Sequence, residues 1–129
     1  MAEIDIQKHI DYWRDGANEA FIAAQDMILR DQRILFGLFF AHLALEKILK
    51  AHVCRQTQQI PPRIHNLIRL AEIAQLELSD EQIRILSSIN EFNLEGRYPE
   101  NWIAPPTLDD AKNYLANSQK VLEWLTNQL

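Results

Sequence analysis

Two stretches of nearly equal length, Asp5 to Leu29 and Gln32 to Gln56, carry apolar residues in alternating steps of three and four, with the polar Arg30-Asp31-Gln32 at their junction. In the first stretch the repeat is Ile6, Ile10, Trp13, Ala17, Ala20/Phe21, Ala24 and Met27/Ile28, while Asp11, Arg14, Asp15, Asn18 and Glu19 fall largely off that face. This is the period of one side of an α-helix, about 37 Å long at 1.5 Å per residue. The junction has no Gly or Pro, and Asp31 is placed to cap the helix that follows, so the two helices should form a tight hairpin. The second helix is apolar on more than one side. Leu35, Leu38, His42, Leu45, Leu49 and His52/Val53 make one stripe, and Ile34, Ala41 and Ile48 make another beside it. The small residues Gly37, Ala41, Ala44 and Ala51 allow another helix to approach closely. A helix of this kind must be covered by several neighbours, and a second copy of the chain is expected to supply part of the cover.

The remaining sequence continues in helices. After Pro61-Pro62 a short one is expected over Ile64 to Gln75, with Leu67, Leu70, Ala71 and Ala74 inward. Ser79 with Gln82 three residues on is a capping box, so a fourth helix starts there and presents Ile83, Leu86, Ile89/Asn90 and Phe92. Leu94 to Pro106 contains Gly96, Pro99, Pro105 and Pro106 and reads as an irregular connection, long for a bundle and therefore a candidate for function. Thr107 caps the last helix, with Asp109 and Asp110 favourable in its first turn and Ala111, Tyr114/Leu115, Ser118, Val121/Leu122 and Leu125 facing the core. No stretch alternates with period two. The expectation is one all-α domain over residues 1–129, an up-and-down four-helix bundle with one additional short helix.

Composition narrows the function classes. With 47% hydrophobic and 24% charged residues, the 129-residue chain is globular rather than disordered. Its longest apolar run, Ile34 to Leu45, is twelve residues broken by His42, short of the roughly 18 needed to span a bilayer. The single Cys54 cannot form an internal disulfide, and Met1-Ala2-Glu3-Ile4-Asp5 has no signal-peptide character, so a cytoplasmic location is expected. A net charge of −5 disfavours long polyanions. The charge is unevenly placed. Residues 46–69 carry a net +4, which leaves −9 for the rest. A basic patch on an acidic body suits a small anionic ligand or an acidic partner; a merely solvated basic helix face is the plainer explanation.

Motifs with strong spacing are lacking. There is no Gly-rich phosphate loop, no zinc spacing and no paired Glu-x-x-His of di-iron bundles. His42 and Glu46 have ligand spacing but no second pair, so no metal or other cofactor is expected. Cys54 has Lys50 and Arg55 as neighbours, yet a buried, inert thiol is the expectation. What remains is a polar constellation. Lys47 and Lys50 share a helix face, Arg63 and His65 follow the double proline, and Arg97-Tyr98 sits in the long connection. Brought together, they offer a guanidinium fork, point charges, and an aromatic ring with a hydroxyl for a phosphate or carboxylate. The alternative is structural, with Tyr98 and Trp102 closing the bundle end and His65 capping the third helix.

The segments Phe40-Ala-His-Leu-Ala-Leu-Glu-Lys-Ile-Leu-Lys-Ala51, Pro-Arg-Ile-His65-Asn-Leu-Ile-Arg-Leu70 and Gly96-Arg-Tyr-Pro99 resemble the HEPN domain family in order and spacing, over nearly the whole chain. The resemblance implies a bundle fold, frequent homodimers, nucleotide- or RNA-related roles, and a minimal nucleotidyltransferase as a separate partner, in pairs of the toxin–antitoxin type. By position it carries over Glu46, Lys47, Lys50, His65, Arg97 and Tyr98, with Arg63 adjoining. One departure matters. The family's ribonucleases place four to six residues between Arg and His, whereas Arg33/His42, Arg55/His65 and Arg63/His65 have eight, nine and one between them. A noncatalytic module that binds a nucleotide or docks a nucleotidyltransferase is therefore the leading expectation. A metal-independent ribonuclease toxin and a structural interaction domain are the alternatives, the former if folding joins Arg97 to His65.

Overall fold

The computed structural model describes residues 4–95 and 97–129; Met1, Ala2, Glu3 and the Gly96 of Gly96-Arg-Tyr-Pro99 lie outside the described residues. Asp5 caps α1 (Ile6–Leu29), its carboxylate accepting from the Lys8 amide. The helix runs through Gly16 unbroken, and α2 (Ile34–Thr57) is of the same 24-residue length. The hairpin junction differs from the expectation. Arg33, not Asp31, stands at the N-cap of α2 and makes no side-chain cap bond, while Gln32 takes a φ of 53° and the Arg33 amide bonds back to the Met27 carbonyl. The turn thus closes on the end of α1, and Asp31 is left exposed two residues too early to cap.

The third helix starts later than expected. α3 spans Leu67–Ile73, with Asn66 as the cap accepting from the Arg69 amide, so Ile64 and His65 precede it. Asn66 is held in turn by Asn90 of α4 (Asp80–Asn90). The capping box of Ser79 and Gln82 is present. Ile83, expected inward, is 41% exposed, and Ile85 takes its place beside Leu86 and Ile89. The connection after α4 is irregular except for one 3-10 turn, Pro99–Asn101, and Thr107 caps α5 (Leu108–Asn127) through the Asp110 amide.

Among the described residues there are five α-helices and no strand. α2 is the hub. It packs on α1, α3, α4 and α5, and its Leu38, Ala41, Leu45, Ile48 and Leu49 are wholly buried. At Gly37 a side chain is excluded because a Cβ there would overlap Ile28 of α1. No helix of the described residues is long and apolar enough to cross a membrane. The buried hub brings four polar side chains, His42, Glu46, Lys50 and His52, inside the molecule.

Candidate functional site

Glu46 is the centre of the polar cluster. On α2 it lies one turn before Lys50, whose Nζ donates to Glu46 Oε2 at 3.0 Å. Both groups are more than nine-tenths buried. His65, in the segment that enters α3, donates from Nδ1 to the other oxygen, Oε1, at 2.9 Å. Its Nε2 lies 3.4 Å from Oε2 of Glu95 in the α4–α5 connection. One carboxylate therefore joins α2 to the approach to α3, and a second, Glu95 of the long connection, stands beside the same imidazole.

His42, one turn before Glu46, donates from Nε2 to the His65 backbone carbonyl at 3.0 Å. Burial pushes its pKa down from 6.5 to about 4, with the nearby Glu46 carboxylate opposing the shift. The ring is thus neutral at pH 7, and its Nδ1, 3.9 Å from Glu46 Oε1, forms no ion pair there. Lys50 Nζ also lies 5.3 Å from the centroid of the Trp13 ring on α1, within cation–π range. A buried charge must find partners in the protein because water cannot reach it. Lys50 finds one carboxylate and one aromatic face.

The other expected residues sit outside this network. Lys47 turns toward α1, its Nζ 3.2 Å from where a Cβ on Gly16 would stand. Arg97 is exposed and donates to the Glu91 carbonyl at 3.3 Å, its own carbonyl accepting from Trp102 Nε1 at 3.2 Å. Trp102 then meets Phe36 of α2 edge to face, with centroids 5.8 Å apart. Tyr98 is 72% exposed. Arg63 is exposed and makes no ion pair among the described residues. The structure thus brings Lys50 and His65 together on Glu46, sets Lys47 on the α1 side, and presents Arg97 and Tyr98 outward on the connection.

Sequence reasoning missed Glu95, Trp13 and the structural part of His42. Glu95 and Trp13 are distant in the chain from what they touch, so no local spacing reveals them. The His42–Glu46 spacing was visible, but its meaning was not, because the partner of His42 is a backbone carbonyl. Among the described residues no three His, Cys, Asp or Glu side chains are grouped to hold a metal ion. Burial pushes the Cys54 thiol up, away from thiolate reactivity.

A helical bundle with a buried acid–base cluster on its central helix and an arginine–tyrosine pair on its long connection defines the class of molecule. The HEPN domain model matches residues 10–129, and the chain belongs to that family. Its fold is that of TT1696 from Thermus thermophilus, with a TM-score of 0.75 and 22% identity over 93% of this chain and 98% of the other. It is also that of ST0689, an archaeal HEPN homologue, with a TM-score of 0.72 and 17% identity over 99% and 98% of the two chains. No curated protein matches the sequence.

Proposed function

We propose that this chain is a noncatalytic HEPN module that works as a homodimer and docks a nucleotidyltransferase partner, receiving an acidic loop of that partner on Arg97 and Tyr98. The observation that carries the reading is that both ring nitrogens of His65 face carboxylates, Glu46 at 2.9 Å and Glu95 at 3.4 Å. A histidine acting as general acid or base needs a nitrogen turned to its substrate, and two flanking carboxylates repel a phosphodiester. Arg97, the arginine that would stabilise a charged transition state, bonds to a backbone carbonyl of its own connection. The groups left facing solvent are an arginine and a tyrosine, residue types that anchor protein interfaces.

The homodimer rests on α2. Phe36 is 50% exposed, and Phe39, Phe40 and Leu43 are half-buried along the same stretch, a line of apolar side chains that a second copy would cover.

The test is co-purification with a minimal nucleotidyltransferase co-expressed with this chain. Arg97→Ala should weaken the complex at least tenfold and more than Lys47→Ala does, Arg97→Lys should restore little because the planar fork is lost, and added salt should weaken binding. Thermal stabilisation by a mononucleotide that depends on Arg97 would move the assignment to a nucleotide-binding module. Cleavage of single-stranded RNA that disappears in both His65→Ala and Arg97→Ala would overturn the noncatalytic reading.

A further inference from the structure

Residues of α1 and α5, none of them in the Glu46 cluster, line a groove of about 590 Å³. Its floor is apolar, made by the buried Phe21 and Leu122 with the 51% exposed Ile22 at the rim. Its walls carry carboxamides: Asn18 and Gln25 from α1, Gln119 and Asn127 from α5. Among the described residues Asn18, Gln25 and Asn127 make no side-chain hydrogen bond, and Gln119 uses only its amino group, on Glu123 at 3.2 Å. Four amide side chains thus stand over an apolar floor, three of them without a protein partner among the described residues. A carboxamide presents a donor and an acceptor side by side, the same pair that a peptide backbone presents.

Spacing and charge select among ligands. Asn18 and Gln25 are two helical turns apart, about 10 Å at 1.5 Å per residue. An extended chain advances about 3.3 Å per residue, so the two amides meet backbone groups three residues apart. The groove runs from Arg14 to Gln25, about 16 Å, or five extended residues. Arg14 is already bound by Asp11 at 3.1 Å and Asp15 at 3.5 Å, and Glu123 stands on the opposite wall. The lining charges Arg14, Asp15 and Glu123 sum to −1, and no lining cation is free for a phosphate. That disfavours nucleotides and acidic segments and favours a neutral or basic one.

We propose that the α1/α5 groove binds a short extended peptide segment of a partner protein, its backbone amides paired with Asn18, Gln25 and Gln119, one apolar side chain on Phe21, Ile22 and Leu122, and a basic side chain on Glu123. The site is independent of the Arg97–Tyr98 surface.

The experiment is selection from a random heptapeptide display library on the folded chain, followed by titration of the enriched sequences as synthetic peptides. Enriched peptides should pair an apolar residue with a nearby Lys or Arg. Asn18→Leu combined with Gln25→Leu should weaken them at least tenfold with an unchanged melting temperature, since both positions lie at the surface. N-methylation of a central peptide amide should weaken them by a similar factor, and Glu123→Lys should abolish the preference for basic residues. Equal enrichment on the double variant, equal binding of the N-methylated peptide, or amide shifts confined to the Arg97 connection would overturn the proposal. So would disulfide cross-linking of Asn18→Cys between two copies, which would assign the groove to self-association.

Discussion

Glu46 accepts from both Lys50 and His65 with one buried carboxylate, so a substitution there disturbs two contacts at once. Glu46→Gln leaves Lys50 buried with a neutral partner and weakens the bond to His65; removing one side of a buried pair costs about 3–5 kcal/mol. Replacing both Glu46 and Lys50 by Met removes the unpaired charge with the pair, so the double variant should be more stable than Glu46→Gln alone in urea unfolding. His42 sets a pH dependence. Its folded pKa of about 4 lies below the 6.5 of the unfolded chain, so between these values the unfolded state binds the extra proton and stability rises with pH. Acidification from pH 7 to pH 4 should therefore cost roughly 3 kcal/mol through this residue, the loss beginning near pH 6.5. His52, whose Nε2 donates to the Leu125 carbonyl at 2.7 Å, is also lowered by burial and acts in the same direction. Denaturant unfolding at pH 7, 5.5 and 4.5 should show the slope, and His42→Gln, which keeps a donor but does not titrate, should flatten it.

At the scale of helices, the two glycines of the hairpin should respond in opposite ways to the same substitution. Gly37→Ala places a methyl inside the space of Ile28 Cγ1 and 2.9 Å from its Cδ1, with the Ala24 carbonyl oxygen 3.3 Å away, so α1 and α2 must separate at a cost of about 1–3 kcal/mol. Gly16→Ala meets only the flexible end of Lys47 at 3.2 Å, and the helix gains up to about 1 kcal/mol of propensity. Thermal melts of the two variants should move apart, Gly37→Ala down and Gly16→Ala level or up. The same elements show what was legible in the sequence. Periodicity gives the span of α1 to within a residue, and the caps Ser79 and Thr107 give the starts of α4 and α5, because each bonds to an amide only a turn away. The start of α3 and the inward face of α4 were misplaced because tertiary partners decide them. Asn66 is fixed by Asn90 on another helix, and Ile85 is chosen over Ile83 by the direction in which α4 packs. In the site, Glu46–Lys50 is an i, i+4 pair and readable, whereas His65–Glu46 spans 19 positions and exists only once the chain has folded.

At the scale of the whole molecule, the accessible surface of 7804 Å² exceeds the roughly 7,000 Å² that size scaling gives for a monomer of this mass. The Phe36–Leu43 side of α2, where Phe36 is exposed and Phe39 half-buried, is the face a second copy would cover. Burying at least about 1,000 Å² in total would make a specific interface there. Sedimentation at tens of micromolar should give twice the 15.1 kDa of one chain, and Phe39→Glu with Leu43→Glu should return it to one without loss of helicity. The hub position of α2 has a kinetic consequence as well. Its largest partner, α1, is joined to it by a tight turn, while α3, α4 and α5 reach it only through longer excursions of the chain. Closing a short loop loses less entropy, so the hairpin should form first and α5 should dock last. Ala24→Gly in α1 should then slow refolding, whereas Ala111→Gly in α5 should leave the refolding rate nearly unchanged and speed unfolding. A chain stopped at that late step would still present the naked core side of α2, the surface most prone to capture by another unfinished copy.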